Sequence, residues 1–596
     1  MMEIDVIAQY DMVIRGGCVV DGTGADPVET DVAIKDGIIA QVGTISGTGT
    51  DEIDASGLIV TPGFIDLHTH YDGQAIWSDR LNPSSQHGVT TAVMGNCGVG
   101  FAPCRPKDRD LLVMTMEGVE DIPGVVMTEG LTWDWETFPE FMQKLDSRPH
   151  DIDIAVFAPH SPIRVYVMGD RGADRKPATP EDLAEMQRLT REAVEAGAVG
   201  VATTRTLIDR RADGEPVPSF DAPAEELVAL ANGVREGGGG LVQMLPEMGM
   251  KGEPPEADFA TMQTVAVESG LPVTFTIVPG RSEKANAFWR RLMDLVDEYN
   301  ASGEGPALHP QYAPRPAGML ASFDLTSNPW ADCPTYKGIA HLPIVERIKE
   351  LRKPDVKAQI LGEEPDEAVI PLTALTRGNF HVMFEVSNKP KYEPEPGQSI
   401  ADRAERMGIT PEDLAYDLLL KNDGRNYLLV AFGNYPEDTL DHLWRFYEDP
   451  NAVMGLGDGG AHYGLIVDST YPTFVLSHWA RDRNGRRLGL PDAIKAMTSQ
   501  PASVIGFKDR GVIAPGMKAD LNILDFDALE LHPPQVVSDL PGGGRRLDQK
   551  ASGYRYTLVS GQVILEDDQP TGALPGKLVK RGASSAQQPQ SLKQEG

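Results

Sequence analysis

Two histidines one residue apart, His68 and His70, close the run Leu58-Ile59-Val60-Thr61-Pro62-Gly63-Phe64-Ile65-Asp66-Leu67-His68-Thr69-His70. Side chains alternate along a strand, so both imidazoles project to one side. Two imidazoles on one face at the C-terminal end of a strand can share a zinc-like ion. The spacing alone fits equally well a pair of hydrogen-bonded strand-end histidines. Cys97, in Gly95-Asn96-Cys97-Gly98, also follows an apolar run, so its thiolate can face the same cavity and bind a metal. As a buried thiol it would simply be a small hydrophobe. Asp458 sits in Gly455-Leu456-Gly457-Asp458-Gly459-Gly460-Ala461-His462, where Asp-Gly is also a common turn pair.

The elements that must position these groups alternate between strand and helix. Candidate strands cover Gly63–His70, Thr90–Gly95, Ile152–Ala158, Ala198–Thr204, Gly240–Leu245, Pro272–Val278, Ala307–Tyr312 and Ala452–Gly457. A helix is predicted over Pro180–Ala196, capped by Thr179 and ended by Gly197. Strands separated by helices favour a parallel α/β barrel, which carries catalytic groups at the C-terminal ends of its strands. Short strands without intervening helices fill both chain ends, and Asp36-Gly37 between apolar runs is a hairpin signal. They suggest one small β-sandwich from residues 1–61 and 507–575, with the barrel over 62–506. Residues 313–450 exceed a plain loop and read as an insertion or lid before the last strand. Residues 577–596, rich in Gln, Ser and Lys, read as a disordered tail.

The string from Pro62 to His70 resembles the amidohydrolase superfamily, whose members carry it on the first strand of a barrel. Gly88-Val89-Thr90-Thr91-Ala92-Val93-Met94-Gly95-Asn96-Cys97-Gly98 resembles the second strand of the D-aminoacylase (N-acyl-D-amino-acid deacylase) branch, where Asn-Cys-Gly supplies a metal-binding cysteine. The likeness spans about Asp11 to about Gly572. It implies a (β/α)8 TIM-like barrel with a terminal β-sandwich and a long insertion before the last strand. It also implies one or two zinc-like ions at His68, His70, Cys97 and Asp458, with Asp458 as general base and acid. The implied reaction is hydrolysis of a linear amide, an N-acyl amino acid of D configuration. The sequence departs from that branch in strands five and six, which carry no histidine. Gln243 stands where the strand-five ligand belongs, and Glu247 and His309 are candidate replacements. Strand four ends Ala202-Thr203-Thr204-Arg205, so no lysine is available for a carboxylated bridge.

Four residues are candidates for touching substrate. His160 ends the third strand, His462 follows Asp458 by four positions, and Arg315 and Arg377 can each hold a carboxylate bidentately. His478 reads as a helix position. A net charge of −34 argues against a nucleic-acid partner, and four cysteines make no disulfide framework. With no long apolar run and no leader, a cytoplasmic protein without membrane contact is expected, acting on a small-molecule amide and able to form homo-oligomers. Two rival readings remain: a cyclic-amide or other hydrolase on the same barrel, and a barrel that has lost catalysis and serves as a binding scaffold.

Overall fold

The computed structural model describes residues 8–366 and 371–581, without the side chains of residues 371–373. Its centre is an eight-stranded parallel sheet. In chain order the strands are β1 (Phe64–Asp66), β2 (Val89–Met94), β3 (Asp153–Pro159), β4 (Gly200–Thr204), β5 (Leu241–Leu245), β6 (Val273–Thr276), β7 (Leu308–Tyr312) and β8 (Val453–Met454). Each overlaps its predicted segment, with β2 starting one residue earlier at Val89 and β3 ending one residue later at Pro159. Nearly all of their residues are buried, as expected of strands covered on both faces. Each strand pairs with the next, and the curled sheet brings β8 back towards β1. Just past those two strands Asp458 N–H donates to the His68 carbonyl at 3.0 Å, and His70 N–H to the Gly459 carbonyl at 2.7 Å. These bonds draw the edges of the sheet together and set the two sequence motifs side by side.

Helices pack outside. In the helix Pro180–Glu195 the Thr179 hydroxyl accepts from Asp182 N–H at 3.2 Å, while the Asp182 carboxylate accepts from Thr179 N–H at 2.8 Å. This reciprocal cap satisfies two donors that the helix start leaves free. Between β2 and β3 lies a second helix, α1 (Arg109–Glu120), whose buried stripe Leu112, Met116 and Glu120 recurs every fourth residue.

Both termini contribute to one nine-stranded sheet. Its seam is Ile59–Pro62 running antiparallel to Leu521–Leu524. The Asp36-Gly37 turn has positive φ at both residues, 51° and 75°, the geometry that a tight hairpin requires. The insertion has its own three-stranded antiparallel sheet (Ala317–Ala321, Met383–Glu385, Leu428–Gly433) and its own core around Phe323, Trp330 and Tyr416. The expected tail needs correction at its start. Lys577 to Val579 run beside Ile154 through two backbone hydrogen bonds, and Leu578 is buried. Residues 582–596 of that expectation lie outside the described residues.

Candidate metal centre

His68 and His70 follow β1 and are both buried, their ring centroids 5.3 Å apart. His68 Nδ1–H donates to Gln311 Oε1 on β7 at 2.9 Å. That bond fixes the tautomer and leaves the Nε2 lone pair facing inward. His68 Nε2 stands 3.4 Å from Cys97 Sγ and 3.5 Å from Asp458 Oδ1, and His70 Nε2 stands 3.6 Å from the same oxygen. A tetrahedron with bonds of about 2.0–2.3 Å has edges of about 3.3–3.8 Å, so each of these three separations suits a pair of ligands on one zinc-like ion. Ligand atoms of His68, His70 and Cys97 lie within 4.8 Å of one another. Thiolate and imidazole donors suit zinc-like ions better than magnesium or calcium.

Local backbone explains how the ligands converge. The Asn96–Gly98 turn carries Cys97 at φ 55°. Asn96 Nδ2 donates to the carbonyls of Leu67, Thr69 and Val93, binding this turn to the end of β1. Gly98 has φ 67°, and a Cβ there would lie 2.6 Å from the Ala202 carbonyl oxygen, so only glycine fits. After β8, Leu456, Asp458 and His462 all adopt positive φ, 64°, 47° and 50°. Such conformations cost roughly 1–3 kcal/mol each and persist where the surrounding structure over-determines them.

Burial lowers the pKa of His68, His70 and His462 and so favours neutral, ligand-competent rings. Burial opposes the charge of Asp458 as well, but the approach of His70 and the neighbouring imidazoles outweigh it and hold this carboxyl at about 2. It is therefore ionised at neutral pH. The thiol of Cys97 is pushed well up by burial and by nearby Asp209 and Glu120. A buried thiol of that kind becomes a thiolate when a cation is present to stabilise it.

The four proposed ligands and His462 line one cavity of about 910 Å³, its open mouth included. His462 lies there with Nε2 3.6 Å from Glu120 Oε2. The other expected substrate contacts are displaced. His160 uses both ring nitrogens elsewhere, Nδ1 with Thr203 Oγ1 and Nε2 with Glu226 Oε1, each at 2.8 Å. Arg315 is buried behind the wall, bound to Asp468 and to Thr470 Oγ1. Arg377 pairs with Asp332 inside the insertion. None of the three lines the cavity. The suggested replacement ligands are displaced too: Glu247 accepts from Lys251 N–H, and His309 Nδ1–H donates to the Asn451 carbonyl at 2.9 Å. His478 donates to Glu393 at 2.7 Å, in a wide helical segment over Val475–Asp482. Gln243, in the strand-five position, accepts from Cys97 N–H at 2.9 Å and so orients the thiol.

Sequence reasoning missed Glu120, Gln311, Asp209 and Asp468. Glu120 Oε1 lies 3.2 Å from His70 Nδ1, and burial pushes its carboxyl well up, with Asp209, Asp458 and Asp72 adding to the effect. A signal for it was present, because a glutamate occupies the buried stripe of α1. Gln311 and Asp209 carry no such mark.

The amidohydrolase family matches the chain over residues 51–377 and 447–565. The chain belongs to the amidohydrolase family. Membership makes it a hydrolase of amide carbon–nitrogen bonds that depends on a divalent metal. Among its relatives, a D-aminoacylase of Alcaligenes xylosoxydans xylosoxydans is 30% identical, over 96% of this chain and 98% of its own. An N-acyl-D-aspartate deacylase of the same organism is 31% identical, over 97% and 96%. This chain falls in their branch. A crystal structure of an N-acyl-D-glutamate deacylase from Bordetella bronchiseptica, with zinc and a phosphonate inhibitor, superposes with a TM-score of 0.62 at 23% identity, covering 96% of this chain and 99% of that one. At that identity it supports the fold alone.

Proposed function

We propose that this amidohydrolase cleaves the acyl–nitrogen bond of a linear amide built on an N-acyl-D-amino-acid skeleton, with zinc at His68, His70, Cys97 and Asp458. On this reading the curled sheet is a closed TIM-like barrel and the terminal sheet its small β-sandwich. The observation that carries the proposal is the convergence of Asp458 Oδ1 on both histidines, at 3.5 and 3.6 Å, beneath an open cavity. Bound there, a zinc ion supplies Lewis acidity towards the acyl carbonyl and towards water. Asp458, ionised and half-buried, takes the proton released by the attacking water and delivers it to the leaving nitrogen. Gln311 holds the His68 tautomer, and Gln243 holds the turn that presents Cys97. A scaffold without chemistry would have no use for such a constellation of inward-facing donors.

The test is acyl release by purified, zinc-supplemented protein from N-acyl-D- and N-acyl-L-amino-acid derivatives, run beside hydantoin-like rings. Release from the linear D compounds is expected. Ring opening without linear cleavage would replace this reading with the cyclic-amide one. Elemental analysis showing far less than one metal per chain after supplementation would replace it with the scaffold.

A further inference from the structure

Among the described residues, no lysine or arginine lines the cavity that holds the candidate metal centre. The internal segment outside the description, residues 367–370, is Glu-Ala-Val-Ile and adds none. The basic residues in the loops that follow β4, β5 and β6 each bond to the chain away from the cavity, although Arg205 Nε is left without a partner. Arg205 and Arg210 donate to the carbonyls of Ala222 and Gly214, Arg211 pairs with Asp213, Lys251 with Asp221, and Arg281 with Asp438. Behind the wall, Arg315 is neutralised by Asp468, which also lines the cavity, and Arg546 by Asp539 and Asp548. Asp209, at 7% exposure, lines the cavity with Oδ2 accepting from the Thr204 hydroxyl at 2.5 Å and no basic side chain paired to it. Thr276 also lines it, with its Oγ1 buried away from the open space. Apart from Glu120 and Asn434, whose Nδ2 donates to the Ala313 and Arg315 carbonyls, the remaining wall is largely apolar, with Ile208, Leu245, Ile277, Val278 and Leu456.

A free substrate carboxylate entering this space would lose water and find no cation of the protein to replace it, and Asp209 and Asp468 would repel it. A neutral carboxamide or ester loses less on entry, and a carboxamide N–H can donate to the Asp209 carboxylate. We infer that the site prefers N-acyl amino-acid skeletons whose carboxyl group is masked, as a carboxamide, an ester or the next peptide bond, over the free acids. The inference rests on the linear-amide reading and narrows it to a substrate class.

The test compares N-octanoyl-D-leucine with N-octanoyl-D-leucinamide, following octanoate release by the zinc-loaded enzyme. A kcat/KM at least tenfold higher for the leucinamide is expected, and Asp209→Asn is expected to narrow that ratio at least threefold. A ratio of one or less, or a ratio that Asp209→Asn leaves unchanged, overturns the inference. If neither compound is cleaved, the linear-amide reading fails separately, and calorimetric titration of the same pair into the zinc-loaded protein decides the charge preference. At least tenfold tighter binding of the leucinamide supports it. Equal or tighter binding of the acid, or binding of neither, overturns it.

Discussion

Two histidine–carboxylate clusters lie past the ends of strands of the curled sheet, and they are wired in opposite ways. Behind β3, His160 spends both ring nitrogens on Thr203 and Glu226, and Arg164 pairs with the same Glu226. Both His160 nitrogens, the Glu226 carboxylate and both Nη groups of Arg164 have partners from the chain itself. Past β1, His68 and His70 turn their Nε2 atoms towards Cys97 and Asp458, and Glu120 and Asp209 lie close by with, among the described residues, no lysine or arginine paired to either. Buried carboxylates without protein cations are costly unless something positive arrives from outside. The contrast separates a structural histidine from a ligand more sharply than position at a strand end does.

The contrast breaks most visibly at Asp458. Asp458→Asn removes the proton carrier and one ligand charge, so kcat/KM should fall about a thousandfold while thermal unfolding stays near that of the unaltered protein. Retained turnover would show that the mouth is not the reacting cluster. His160→Ala should do the reverse. It leaves Glu226 with one partner fewer in a buried site and costs about 3 kcal/mol of stability, while zinc content measured by elemental analysis stays unchanged. Loss of zinc in that variant would erase the distinction between the clusters.

The eight strands of the curled sheet could be read from their apolar runs, because a strand buried on both faces writes its burial into consecutive residues. His68, His70 and Asp458 were equally legible, since backbone pairing past β1 and β8 fixes them locally. His160, Arg315 and Arg377 misled because position at a strand end or within an insertion says nothing about which partner takes a side chain first. Glu226, Asp468 and Asp332, which hold them, are distant in sequence and carry no motif. Gln311 was invisible for the same reason. An amide one strand away becomes meaningful only when His68 is seen to donate to it.

Gln311 therefore supplies a finer probe of the mouth. Gln311→Ala frees His68 Nδ1 and lets the ring turn or change tautomer, so zinc affinity should weaken about tenfold to a hundredfold in chelator competition. Unchanged affinity would mean that the ring is held by packing alone.

The smallest expected effect is the pH dependence of stability, and the two clusters should slope in opposite directions. Burial would raise the Glu226 carboxyl, but His160 and Arg164 outweigh it and hold it at about 2, below its ordinary 4.5. A depressed carboxyl stabilises the fold above its unfolded pKa, and that contribution is lost as pH falls from about 4.5 through about 2. Asp209 is the opposite case, raised by burial from 3.8 to about 7 despite the Thr204 hydroxyl. In metal-free protein the folded state then holds the proton that the unfolded chain has released, so stability declines as pH rises from about 4 to about 7. Glu226→Gln should flatten the acid limb of a Tm-against-pH curve, and Asp209→Asn should flatten the neutral limb by about 2 °C. Zinc should flatten that neutral limb too, because an added positive charge at the mouth favours the ionised carboxylate. A neutral limb that stays the same with Asp209→Asn and with zinc would place the missing positive charge somewhere other than this cavity.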